Sequence, residues 1–130
     1  MKETAYDMLY LSACAVNGIV PDTGRIAHMN LEKLFQICQF HSFTAIVCMS
    51  LESVGIANKK FIEAKSKAIR KNILLDTERE KIFEFLEQNK IWYMPLKGVI
   101  LKELYPKIGM RQMSDNDILF DETYRKDIVR

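Results

Sequence analysis

Residues 91–120 read IWYMPLKGVILKELYPKIGMRQMSDNDILF, and this stretch decides the fold class. It opens with Ile91-Trp92-Tyr93-Met94, a run of residues that favour strands. Pro95 forces Met94 into extended geometry and is expected to end the run, so a short strand is predicted here. A helix is then predicted to begin at Lys97-Gly98 and to continue to Leu104.

The second half of this stretch predicts another strand and another helix. After a turn over residues 107–109, Arg111–Phe120 is predicted to form a strand that ends in the apolar run Ile118-Leu119-Phe120. Asp121 can cap a last helix over Glu122–Val129. Two strands alone form a marginal sheet, so its exposed edge is expected to attract further strands or a second copy of the chain as a homo-oligomer.

The chain before residue 91 predicts helices only. Apolar residues at helical spacing predict a first helix over Thr4–Val16, and Asn30 offers an N-cap to a second. Ser42 can cap a third helix, which Gly55 ends. One long helix is predicted from Asn58 to Gln88, because this segment contains neither Gly nor Pro and keeps its apolar residues close to one face.

Length and composition fit a single α+β globular unit. The chain has 130 residues, of which 48% are hydrophobic, enough to bury a core. Residues 1–90 are predicted to form a helical region, and residues 91–130 a strand-helix-strand-helix unit. A net charge of +2 gives no strong electrostatic signal for nucleic acid or for an anionic membrane. A basic cluster on the long helix is expected to be a solvated face; it consists of Lys59, Lys60, Lys65, Lys67, Arg70 and Lys71.

The cysteines and the N-terminus indicate a cytoplasmic protein. Cys14, Cys38 and Cys48 are far apart, form no C-x-x-C pair and lie in apolar surroundings, which is typical of reduced core thiols. Glu3 stands where a signal peptide would continue its basic start. No apolar run approaches the roughly 20 residues of a membrane span, so membrane insertion is not expected.

Asp115 and Asp117 are the strongest candidates for chemistry. Alternate side chains of a strand share a face, so the two carboxylates would lie close together, with Leu119 continuing that face into the core. Two such acids repel each other unless a cation lies between them, and Mg²⁺ is a cation that binds carboxylates together with substrate phosphates. Taken alone, the pair is also compatible with two solvated acids near a turn.

A longer ordered pattern surrounds this pair. It consists of Pro95-Leu96-Lys97-Gly98, Leu101, Tyr105-Pro106, Gly109, Arg111 and Asp115-Asn116-Asp117-Ile118-Leu119. This pattern resembles the signature of the uncharacterised nucleotidyltransferase-like family within the DNA polymerase β superfamily, which has an L-K-G helix start, a Tyr-Pro, a G-x-R and a D-x-D strand. About thirty residues carry the resemblance. The helical region resembles the family only in being helical.

The resemblance implies a metal-dependent nucleotidyltransferase, which transfers a nucleoside monophosphate from an NTP to an acceptor hydroxyl. Asp115 and Asp117 would be the catalytic metal ligands, with Mg²⁺ as the cofactor. Gly109 stands where the superfamily's Gly-Ser turn contacts nucleotide phosphates, but no serine follows it, so Arg111 could bind phosphate instead. The residues predicted to bind nucleotide or phosphate are Lys97, Gly98, Gly109, Arg111 and Ser114.

One part of the superfamily's site has no counterpart in this sequence. The superfamily adds a third carboxylate from a neighbouring strand, whereas the only acids after Phe120 are at or within the predicted last helix: Asp121, Glu122 and Asp127. The chain is therefore either a piece of a longer protein or a reduced relative with impaired catalysis. The alternative function is a non-catalytic interaction module that retains the nucleotidyltransferase scaffold. The acceptor could be a protein, a small molecule or RNA.

Overall fold

The computed structural model describes residues 2–96, 101–113 and 117–120, and in these ranges five helices precede a two-stranded sheet. The helices are α1 (Lys2–Asn17), α2 (Thr23–Ala27), α3 (Leu31–His41), α4 (Thr44–Ser53) and α5 (Lys59–Gln88). Strand β1 (Tyr93–Leu96), a 3₁₀ turn (Lys102–Leu104) and strand β2 (Asp117–Phe120) follow. The predicted α+β class is confirmed. Within the described ranges, no helix combines the length and the apolar character needed to cross a bilayer.

Short polar side chains begin three of the helices. Asn30 accepts a hydrogen bond from the backbone N–H of Lys33 at 3.1 Å and starts α3, as predicted. Asn58 accepts from the N–H groups of the first residues of α5 and holds that start. Asp22 caps the short helix α2 by accepting from the N–H of Gly24 at 2.9 Å. This short helix was not predicted from the sequence.

The start of α4 differs from the prediction, and Ser42 does not cap it. Ser42 ends α3 instead, in the left-handed conformation with φ at 62°, and it lies one residue before the N-cap position of α4. Phe43 occupies that position and has no side-chain oxygen to offer. Gln112, far along the chain, takes over this role: its Oε1 accepts from Thr44 Oγ1 at 2.8 Å and from the N–H of Ala45 at 3.1 Å.

The hydrophobic core lies around α4. Seven of its ten residues are buried, as expected of a helix that is apolar on nearly all sides. The fully buried side chains around it include Leu11, Leu34 and Phe61, each 0% exposed. Burying an aliphatic or aromatic side chain of this size contributes about 1.5–3 kcal/mol. Met110 belongs to the same core, so packing crosses from the helical region into the residues after β1.

The two strands form an antiparallel pair that is attached to the end of α5. Tyr93 pairs with Phe120 at one end of the ladder, and Leu96 pairs with Asp117 at the other. The Tyr93 ring stacks on Phe83 with centroids 4.6 Å apart, and its hydroxyl donates to Glu87 Oε1 at 2.7 Å. These contacts hold the start of β1 against the end of α5.

Three predictions about the strands are wrong. Pro95 does not end β1 but lies within it, which is possible because each strand of a two-stranded sheet has a free edge that needs no N–H donor. Arg111–Met113 are not part of a strand, because Met113 is buried and Gln112 bonds to α4. Leu119 does not run into the core: it is 43% exposed, and its partner Met94 is 42% exposed. The predicted last helix over Glu122–Val129 lies outside the described residues.

The contact between Gln112 and α4 gives a stability prediction. Gln112→Ala should lower the free energy of unfolding by about 1–2 kcal/mol, the usual effect of removing a helix cap, because two donors at the start of α4 lose their acceptor. Urea denaturation followed by circular dichroism measures this change. Gln39→Ala, at an exposed position of α3, is the control and should change stability by less than about 0.5 kcal/mol. Equal effects of the two substitutions would contradict the cap.

Candidate functional site

A polar pocket of about 240 Å³ lies between α5 and the segment that follows the L-K-G motif. Asn72 and Asp76 form its helical wall and lie one turn apart on the same face of α5. The opposite wall comes from residues 102–111 and includes Lys102, Gly109 and Arg111. The structure thus brings together two of the residues predicted to bind phosphate with three residues that the sequence analysis did not single out.

Gly109 is placed by packing against α5. Its φ is 87°, in the left-handed region that favours glycine. A Cβ atom at this position would lie 2.7 Å from Ile69 Cγ1, which is closer than side chains approach each other. Only glycine therefore fits here without moving the helix or the segment. The predicted contact between Gly109 and phosphate stays a prediction, and close packing gives this glycine a separate structural reason.

Arg111 supplies a cation to the pocket with an unmet hydrogen-bond donor. Its Nε is buried and has no hydrogen-bond partner among the described residues. A buried donor without a partner costs free energy, and the guanidinium fork matches the geometry of phosphate oxygens. Arg111 is therefore suited to hold an anion that enters the pocket, as the G-x-R pattern predicted; its contact with phosphate stays a prediction.

A network of polar side chains joins the pocket wall to α5. Lys102 Nζ donates to Asn72 Oδ1 at 2.8 Å and to the carboxylate of Asp76. Asp76 Oδ1 also lies 2.8 Å from Arg79 Nη1, as an ion pair without the direction of a hydrogen bond. Burial is high, since Asn72 is 1% exposed and the Lys102 side chain 10%.

The sequence contains one signal for this network. The apolar face of α5 includes Phe61, Ala68 and Leu86, and Asn72 lies on that face although it is polar. A polar residue on the buried face of a helix needs a partner. That partner, Lys102, could not be identified from spacing, because it is thirty positions away in the chain.

The register of the sheet brings two predicted parts of the site to the same end. Asp117 is the first residue of β2, and its backbone pairs with Leu96, the last residue of β1. The L-K-G motif therefore leaves the sheet where the D-x-D motif enters it. Lys97, Gly98, Ser114 and Asp115 lie outside the described residues, as does the side chain of Asp117. Within the described part of the chain, no cluster of three or more His, Cys, Asp or Glu residues could hold a metal.

Burial disfavours the reactive thiolate at two of the three cysteines. All three are free and buried, as predicted for core thiols. Burial raises the pKa of Cys38 to about 12. Burial raises the pKa of Cys48 to about 12 as well, helped by the hydrogen bond from its Sγ to Glu52 Oε1 at 3.3 Å. Since the thiolate is the reactive form, neither residue is activated at neutral pH.

A second, larger groove lies beside α1 and α3. It has a volume of about 610 Å³, and Ile37 and Phe40 supply much of its apolar surface. None of the residues predicted to bind metal, nucleotide or phosphate lines it. The polar pocket on α5, which contains Gly109 and Arg111, is therefore the candidate site.

The comparison with known families identifies the family to which the chain belongs. A family model described as an uncharacterised nucleotidyltransferase matches residues 27–129, which is most of the chain. The chain belongs to this family, and the resemblance drawn from the pattern around Asp115 and Asp117 is confirmed. The match covers α3 to β2 and begins after α1. No similar protein was found among those with curated descriptions, and none among solved structures.

The raised thiol pKa values give a second prediction. At about pH 8, a thiol with a pKa of about 12 is thiolate in roughly one molecule in 10⁴, so Cys38 and Cys48 should resist alkylation in the native chain. Iodoacetamide labelling followed by peptide mass spectrometry measures this, with the chain in concentrated urea as the control. Labelling of native Cys48 as fast as in urea would show that this thiol is not protected.

Proposed function

We propose that the chain carries the nucleotide-binding part of a metal-dependent nucleotidyltransferase, which transfers a nucleoside monophosphate from an NTP to an acceptor hydroxyl. Membership of the nucleotidyltransferase family supports the class of reaction. The observation that carries the proposal is the polar pocket, because Gly109 and Arg111 line it. In the sequence, these two residues precede β2, which begins at Asp117, by a few positions.

The pocket suits the phosphates of a nucleotide better than its base. Its volume of about 240 Å³ is below the range of about 300–1,000 Å³ for pockets that enclose a whole small molecule. Arg111 lines the pocket, and its guanidinium offers donors in a fixed plane that match phosphate oxygens. In this proposal Arg111 binds and orients the triphosphate, and the backbone at Gly109 borders it. Lys97, Gly98 and Ser114 are proposed as further contacts.

Asp115 and Asp117 are proposed to hold Mg²⁺ at the entry to β2. Their donor chemistry fits this ion, since Mg²⁺ prefers oxygen ligands from one or two carboxylates together with substrate phosphates. When bound, the ion would offset negative charge on the transferring phosphate. The two aspartates would otherwise repel each other and the nucleotide, so nucleotide binding is expected to depend on the metal. Three free thiols fit a reducing compartment, and a cytoplasmic location is proposed.

An interaction module is the second candidate function, and the exposed sheet supports it. Met94 and Leu119 lie opposite each other and are both more than 40% exposed, and nearby Trp92 is 58% exposed. Exposed apolar side chains on a two-stranded sheet with open edges suit pairing with additional strands or with a second copy of the chain. In this alternative the nucleotidyltransferase scaffold serves binding and not catalysis.

The metal ligands give the prediction that tests the proposal. Asp115→Asn combined with Asp117→Asn should abolish Mg²⁺-dependent nucleotide binding, because the neutral amides do not hold the ion, while the fold is retained. Calorimetric titration with ATP, GTP, CTP and UTP, in Mg²⁺ and then in EDTA, measures the binding.

The matched control removes two negative charges elsewhere. Glu78→Gln with Glu80→Gln changes two exposed acids of α5 and should leave Mg²⁺-dependent binding unchanged. Unchanged binding in the aspartate variant would overturn the assignment of Asp115 and Asp117. If the unmodified chain binds no nucleotide, the interaction module becomes the better account.

A further inference from the structure

One face of α5 contacts both ends of the pocket wall that residues 102–111 form. Ile69, Asn72 and Asp76 are three and four positions apart, so they lie on the same face of the helix. Gly109 packs on Ile69 at one end of this face. Lys102 bonds to Asn72 and Asp76 at the other end. The wall between residues 102 and 109 is thus fixed at two points.

The stability of the fold does not require the buried polar contacts of Lys102 with Asn72 and Asp76. Burying a lysine ammonium costs several kcal/mol unless partners compensate it, and the Lys102 side chain is only 10% exposed. Asp76 and Asn72 supply that compensation. Apolar side chains of similar size would often stabilise a fold as well as a buried ion pair does. What a directed polar network adds is geometry, because its donors and acceptors meet in one arrangement.

We propose that Lys102 is a positioning residue, which Asn72 and Asp76 hold on α5 so that the pocket wall presents Arg111 to the phosphates. This inference rests on the proposed function. Lys102 is paired with the carboxylate of Asp76, so its charge is already compensated, whereas Arg111, which also lines the pocket, is proposed to meet the ligand. Lys102 acts on the nucleotide through the wall that it fixes.

The direction in which one substitution changes the affinity for MgATP distinguishes positioning from direct binding. Asp76→Asn removes a negative charge that lines the pocket and takes the carboxylate partner away from Lys102 and from Arg79. If Lys102 bound phosphate directly, MgATP binding would become tighter. If Lys102 positions the wall, binding becomes weaker although the pocket is more positive, and about a tenfold increase in Kd is expected, which corresponds to about 1.4 kcal/mol.

A second substitution guards against loss of folding. Lys102→Met removes the ammonium and leaves Asp76 paired with Arg79, so no buried charge loses its only partner. It should also weaken MgATP binding by about tenfold. Lys67→Met is the matched control, since Lys67 is an exposed lysine of α5 and does not line the pocket. Its effect should be about threefold or less and should disappear in high salt, because salt screens exposed charges.

A measurement without nucleotide tests the positioning by itself. Hydrogen exchange should speed up in the Asp76→Asn variant at two amides of the wall, those of Tyr105 and Met110, which bond to the carbonyl groups of Lys102 and Lys107. Glu80→Gln, at an exposed position of α5, should leave both amides unchanged. Faster exchange together with weaker MgATP binding supports the inference. Unchanged exchange, or MgATP binding that is unchanged or tighter in Asp76→Asn, overturns it.

A different set of results is expected if the proposed function is wrong. In that case the unmodified chain binds no MgATP, and hydrogen exchange alone decides whether Lys102 fixes the wall. Unchanged exchange in Asp76→Asn then refutes the positioning role, and faster exchange retains it for a pocket whose ligand is not a nucleotide.

Discussion

The close packing of Gly109 on Ile69 is the contact on which the arrangement of the site depends. A Cβ at this position would come within 2.7 Å of the Ile69 side chain, and the backbone is in the left-handed region. Met110 and Met113, which follow this contact, are buried. Residues 109–113 are therefore packed against the helices and are not a loose connection.

The helices and the site segment depend on each other in both directions. Gln112 supplies the acceptor at the start of α4, the most buried helix, while α5 supplies Asn72 and Asp76 to hold Lys102. The start of α4 thus depends on Gln112, and the pocket wall depends on α5. The family match fits this interdependence, because residues 27–129 span α3, α4 and α5 as well as both strands.

Local sequence signals predicted the helices whose start and length depend on residues close together in the chain. Asn30 caps α3 as expected, and the absence of Gly and Pro from Asn58 to Gln88 matches one continuous helix. The errors arose where distant contacts decide. Ser42 was a plausible cap by spacing, yet Gln112 does that work from a distant position. The strand predicted from Arg111 is wrong because Met113 is buried against the rest of the chain.

The lining of the pocket was predicted only in part, for the same reason. The ordered pattern around Asp115 and Asp117 identified the family and named Gly109 and Arg111, both of which line the pocket. Lys102, Asn72 and Asp76 were missed, because their meeting depends on how residues 102–111 fold back onto α5. The polar character of Asn72 on a buried helix face was the one available sign of that contact.

Nucleotide phosphates are proposed to bind in the pocket on α5. Mapping the amide chemical shifts of the ¹⁵N-labelled chain during titration with MgATP tests it most directly. The account predicts the largest changes between Leu101 and Met113 and at Asp117, with small changes in α1 and α3. The largest changes at Ile37 and Phe40, in the apolar groove, would contradict it.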